Sequence, residues 1–267
     1  MPARATNRNR SVRKRAARNG RVRPPPGKKL WMFDFDNTLA RLEPEVDWAA
    51  SRRVLEPMLR EAGVPEDLFE KHPRGNILLY NDTRARLLEL ARAGRFKRAQ
   101  ARHVIRRASK IIEKFELAGV DRAAPLEGTI ELLHALKNSG AKIAIVTSNS
   151  SRTIRRWLAI HRLTGVIDAI VGCDSYLALK PSPESVTRAL EVCQVQAVDA
   201  AFVGDADSDC AAARALKIEF FGVASNQTSR ERLTAAGVAR MFSSPAALAI
   251  HLHLFDSPPA TSERNSD

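Results

Sequence analysis

The chain is poor in the features that would commit it to a membrane, a disulfide framework or a zinc site. Its 267 residues include three cysteines, Cys173, Cys193 and Cys210. An odd number at those spacings suits neither disulfide pairing nor zinc ligation. Buried thiols in a reducing compartment are the expectation. The six histidines are scattered without a metal-ligand pattern. No uninterrupted apolar run approaches the roughly 20 residues of a membrane-spanning helix. The basic start is not followed by the apolar core of a secretory signal, so a cytoplasmic protein without a membrane is expected. The hydrophobic fraction of 44% and aromatic fraction of 6% are those of an ordinary globular chain. The length suffices for one large α/β domain or a core with an inserted module.

Acids are missing from residues 1–29, which hold eleven Arg or Lys, whereas the remaining chain carries 32 bases against 30 acids. The formal charge of +13 is therefore a property of the tail. Pro24-Pro25-Pro26-Gly27 argues for an extended linker into the first strand. A solvated disordered arm over 1–28 ranks first. Weak attraction of residues 4–29 to nucleic acid or another polyanion is second, because clustered bases alone neutralise phosphates. An organelle transit peptide ranks third, since Ser11 is the only serine and no amphipathic face is clear.

Beyond the tail, strand and helix patterns alternate. Strands are predicted over Leu30–Phe35, Lys142–Thr147, Asp168–Gly172, Ala201–Gly204 and Glu219–Val223. Helices are predicted over Glu127–Asn138, Arg152–His161, Pro183–Gln194, Ser208–Leu216, Ser229–Ala236 and Pro245–His253, with Ser182 as a cap. This alternation implies a parallel sheet with helices on both faces. The strand-poor stretch 42–124 reads as an all-helical insertion. Within it, Arg84 to Lys114 carries eleven bases and two acids, Glu89 and Glu113. Start signals at Asn81-Asp82-Thr83 and an interruption at Gly94 predict two helices there. Their charge reads either as a solvated basic face or as a positive lid over an anionic substrate.

The apolar run beginning at Leu30 ends in Asp34-Phe35-Asp36-Asn37-Thr38. At the carboxyl end of a buried strand, both acids can turn toward one point in the crevice. Two anions so close repel unless a cation or a shared proton compensates. Taken alone, the pair also reads as a solvent-facing strand end. The following strands bring Thr147-Ser148-Asn149, then Lys180-Pro181, then Asp205 through Asp209. Acids, a hydroxyl, a lysine and acids thus succeed one another at ends where ligands gather in open parallel sheets.

That ordered set resembles the haloacid dehalogenase superfamily in its phosphatase branch. The matching segments are Asp34 to Thr38, Ile145 to Asn149, Lys180 to Glu184 and Val203 to Asp209. The helical insertion is similar to the α-helical cap of the phosphoglycolate-phosphatase-like group. The resemblance, carried by about residues 29–225, implies a Rossmann-like three-layer core over 29–41 and 125–256 and a helical cap over 42–124; a flexible end is expected over 257–267, outside the specific match. It makes Asp34 the nucleophile and Asp36 the acid–base. Lys180 becomes the charge-neutralising catalytic cation, and Thr147 and Ser148 become ligands of the phosphoryl group, assisted by amides of the following helix. A magnesium ion would be held by Asp34, Asp205, Asp209 and the backbone carbonyl of Asp36. The implied partner is a small phosphorylated substrate.

Asp36 separates phosphatases and sugar-phosphate mutases from dehalogenases, phosphonatases and ion-pumping ATPases, which have other residues there. Hydrolysis is the expected reaction. A β-phosphoglucomutase-like enzyme is the alternative, and a nucleic-acid-associated protein using the basic tail is the alternative of another class. Lys71, Arg74, Arg84 and Arg86 are candidate substrate contacts by charge and place alone.

Overall fold

The computed structural model describes residues 27–254. The proposed tail, apart from Gly27 and Lys28, and the end at 257–267 lie outside the described residues. Six strands form one sheet in the order β3-β2-β1-β4-β5-β6, every pair parallel. They are β1 (Leu30–Phe33), β2 (Lys142–Val146), β3 (Ala169–Val171), β4 (Ala200–Gly204), β5 (Glu219–Val223) and β6 (Met241–Phe242). The expected α/β class and parallel sheet are what the structure has.

Alternating side chains of the central strands feed two separate cores, which is why these strands read as continuous apolar runs. Trp31, Phe33, Ile143, Ile145, Ala201 and Val203 pack against α5 (Thr129–Asn138), α6 (Ser151–Ile160) and α10 (Pro245–His251). Leu30, Met32, Ala144, Val146, Ala200 and Phe202 pack against α7 (Glu184–Cys193) and α8 (Asp207–Ala215). The result is a sheet between two helical layers. One further helix, α9 (Gln227–Ala235), follows β5.

Between β1 and α5 the chain forms α1 (Trp48–Glu61), α2 (Asp67–Lys71), α3 (Asn76–Arg92) and α4 (Arg98–Gly119) around their own apolar cluster. Cys173 and Leu179, from the loop after β3, join that cluster. The chain enters and leaves this helical unit side by side, since the Arg41 amide donates to Ala124 and the Leu126 amide to Leu39, each at 2.9 Å.

Two local expectations differ from the structure, and one short strand has no counterpart among the predicted elements. Helix α3 begins at Asn76, and Asn81-Asp82-Thr83 lie inside it, because burying Leu79 and Tyr80 outweighs the cap propensity of three polar residues. Helix α7 begins at Glu184 with Pro183 at its cap position; the Ser182 hydroxyl only approaches the Glu184 amide at 3.4 Å. Strand β6 has two residues, too few for an alternating pattern to show.

Candidate active site

The carboxyl ends of β1, β2 and β4 place Asp34, Thr147 and Asp205 directly after the last strand residues, with the Asp34 amide donating to Val203 at 2.9 Å. Lys180 comes from farther away. It lies beyond β3 and the short helical turn Cys173–Ser175, and its buried side chain reaches back to the sheet. Its Nζ lies 2.5 Å from Asp34 Oδ1, 2.6 Å from Asp209 Oδ1 and 3.0 Å from the Val146 carbonyl oxygen. Burial alone would lower the Lys180 pKa, but the Asp209 and Asp34 carboxylates overcome it and hold the ammonium charged.

Asp209 sits in the first turn of α8, where its Oδ2 accepts the amides of Asp205 (3.2 Å) and Ala206 (3.1 Å). This carboxylate presses on the backbone of β4. A Cβ on Gly204 would collide with Asp209 Oδ2, so only glycine permits the approach. Asp205 Oδ2 accepts the Ser229 hydroxyl of α9 at 2.7 Å.

Oxygens of Asp34, Asp205 and Asp209 all lie within 4.8 Å of one another, and all three residues are buried. One ammonium cannot balance three carboxylates. Burial, followed by opposing attraction from Lys180, leaves the Asp34 pKa raised; burial and the neighbouring Asp34 raise that of Asp205. A compact set of hard oxygen donors with surplus negative charge fits a divalent cation such as magnesium.

The Asp36 carboxyl group is engaged elsewhere. Its Oδ1 accepts the amides of Leu42 (2.9 Å) and Glu43 (3.1 Å), where the chain enters the helical unit. Burial pushes its pKa up to about 7, against those two amides. That value suits a group that both gives and takes a proton near neutrality.

In the loop after β2, Thr147 Oγ1 donates to Asn149 Oδ1 at 2.9 Å. The amides expected to help at the start of α6 are already engaged. Ser150 donates its amide to Glu116, Ser151 to Asp174 and Thr153 to the Ser150 hydroxyl. Ser148, half-buried, makes no such bond among the described residues.

Of the candidate contacts in the helical unit, Arg84 alone is buried, and it donates to the Tyr176 carbonyl across to the core. Lys71 pairs with Asp82 and Arg86 with Glu89, while Arg74 is exposed. Sequence reasoning missed Ser229 and Glu116. Ser229 carried no signal in a polar helix start. Glu116 did: it is an acid in the apolar stripe Ile105, Ala108, Ile112 of α4.

Known proteins resemble this chain in sequence and in fold. The family described as haloacid dehalogenase-like hydrolase matches residues 78–223. A phosphoglycolate phosphatase of Aquifex aeolicus is 30% identical over 190 residues, covering 70% of this chain and 80% of that protein. A pyrophosphatase PpaX of Bacillus cereus is 32% identical over 83 residues, covering 31% of this chain and 38% of that protein. Among solved structures, a predicted phosphatase from Clostridium acetobutylicum superposes with a TM-score of 0.58 at 21% identity, covering 84% of this chain and 98% of the other. By the extent of the family match and the length shared with its relatives, the chain belongs to the haloacid dehalogenase-like hydrolases.

Proposed function

We propose that this hydrolase is a magnesium-dependent phosphatase acting on a small phosphate monoester through a phosphorylated Asp34. The observation that carries the reading is the convergence of Asp34, Asp205, Asp209 and Lys180 at the strand ends. The phosphoglycolate phosphatase that is 30% identical over 190 residues supports it.

In this reading, Asp34 attacks phosphorus as the bond to the leaving oxygen breaks, and Asp36 gives that oxygen a proton. Water then attacks the aspartyl phosphate, Asp36 takes a proton from it, and release of phosphate restores Asp34. Lys180, bonded to Asp34 before substrate arrives, offsets charge on the nucleophile and the transferring group. Asp34, Asp205 and Asp209 would hold the cation, which supplies charge neutralisation on the phosphoryl oxygens. Thr147 and Ser148 bind those oxygens. We assign residues 29–41 and 125–256 to the catalytic core and 42–124 to a cap that selects the leaving group. Arg84 is its foremost candidate contact, because its buried guanidinium faces the core loop that leads to Lys180.

A panel of small phosphate esters tests this. Release of inorganic phosphate from at least one of them with magnesium, lost on chelation and lost in Asp34→Asn, is the expected result. Isomerisation of a hexose phosphate without phosphate release would replace the phosphatase by a mutase. Magnesium-dependent turnover in Asp34→Asn would remove Asp34 as nucleophile.

A further inference from the structure

The three carboxylates of the candidate cation site are not held alike. Asp34 and Asp209 each set an oxygen against the Lys180 ammonium, and Asp209 gives its other oxygen to two backbone amides. Among the described residues Asp205 has no ion pair, and its carboxylate has one donor, the Ser229 hydroxyl at 2.7 Å from Oδ2. Ser229 belongs to none of the strand ends that supply the other groups. It stands in the first turn of α9 and is buried there, beside a charged group but outside the mechanism above.

This hydroxyl is fixed by its own surroundings. Asn226 caps α9 by accepting the Ser229 amide at 2.8 Å. The Ser225 hydroxyl donates to the Asn37 carbonyl at 2.9 Å, which ties the same loop to the turn that follows Asp36. An ionised carboxylate only accepts, so the proton in the Ser229–Asp205 bond is the one on Ser229 Oγ. Oδ2 is therefore engaged, and Oδ1 is the Asp205 oxygen without a donor among the described residues.

We propose that Ser229 is a positioning residue for the cation: it occupies one oxygen of Asp205, leaves the other to offer, and so favours magnesium over calcium. This role rests on Asp205 being a cation ligand, as in the proposed function. Magnesium demands a near-octahedral set of single oxygens, whereas calcium accepts more ligands and takes both oxygens of a carboxylate readily. Swinging Asp205 to present both oxygens would strip Oδ2 of its one donor in a buried place, and a lost buried hydrogen bond is costly. The small hydroxyl of α9 thus selects the ion without touching it.

Calorimetric titration of the full-length protein, freed of metal with EDTA, measures Kd for magnesium and for calcium without substrate. Ser229→Ala should weaken magnesium about tenfold, as loss of a ligand's hydrogen-bond partner does. Calcium should weaken less, so the ratio of the two Kd values shifts toward calcium. The magnesium concentration for half-maximal phosphate release should rise with the Kd. At saturating magnesium kcat should stay close to wild type, because Ser229 touches none of the reacting atoms.

A general loosening of the fold would weaken both ions alike, and thermal melts of the metal-free proteins monitor it. Ser229→Cys keeps a side chain of similar shape with a weaker donor, and gives the same comparison if the alanine variant is unstable. An unchanged ratio of Kd values in a folded variant, whether from no loss or from equal losses, would overturn the proposal. A wild-type protein that binds neither ion would instead refute the cation site itself, a failure visible before any variant is made.

Discussion

Lys180 sets its one ammonium between two carboxylates, so removing it leaves Asp34 and Asp209 buried beside each other without that positive charge. Lys180→Ala should lower kcat by on the order of 10²–10³-fold, as removal of one electrostatic donor does. Its melting temperature should also fall, because an unpaired buried charge is costly. Steady-state rates and melts measured side by side check this, and an unchanged rate in a folded variant would mean that another cation serves the transferring group. Lys180 was legible in the sequence only through its company, since a single loop lysine is ordinarily solvated. Asp34 and Asp36 stood out first, because an apolar strand ending in two acids is an electrostatic anomaly, but they too needed Thr147, Lys180 and Asp205 to read as more than a solvent-facing strand end. What the pattern did not reveal is that their environments differ. Asp34 faces Lys180, whereas Asp36 is held by two amides on the path into the helical unit.

Long elements with a sustained period were readable, and their joints were not. The alternation of β1, β2 and β4 between two cores left a clear trace, as did the two basic helices parted at Gly94. The start of α3 was misplaced because turn-forming residues are tolerated inside a helix once packing holds it. Glu116 shows how an element can carry a cost for its site. Burial pushes its pKa from 4.5 up to about 7, even against the donors of Ser150, Asn149 and Thr153. Between those values the folded protein holds a proton that the unfolded chain has released. The associated stability is present below about pH 4.5 and lost as pH rises through about 7. From pH 5 to pH 8, wild type should lose stability relative to Glu116→Gln, by on the order of 3 kcal/mol. Denaturant unfolding at several pH values measures it, and parallel stability curves for the two proteins would contradict the burial cost.

Across the whole molecule, the excess of positive charge stands outside the catalytic centre. On α4, Arg98, Arg102, Arg106, Arg107, Lys110 and Lys114 are exposed, while the acids Glu113 and Glu116 are buried. The basic face anticipated there is thus turned to solvent on this helix. At the other end of the chain, Lys28 pairs with Glu219 and Lys29 with Asp199, which ties the two residues before β1 to the sheet layer. A deletion that spares these anchors removes residues 1–26 and nine of the eleven bases in residues 1–29. No member of the catalytic set is touched, so phosphate release should be unchanged. Retention on immobilised duplex DNA should weaken. Its dependence on salt should become shallower by about 0.9 for each phosphate that the tail neutralises in the full-length protein. Comparing both proteins over a salt series separates two sources of attraction. A salt dependence that disappears with the deletion places it in the tail, whereas an unchanged one places it on the exposed stripe of α4. A fall in phosphate release would contradict the division itself, because it would tie residues 1–26 to a site whose partners among the described residues lie between Asp34 and Ser229.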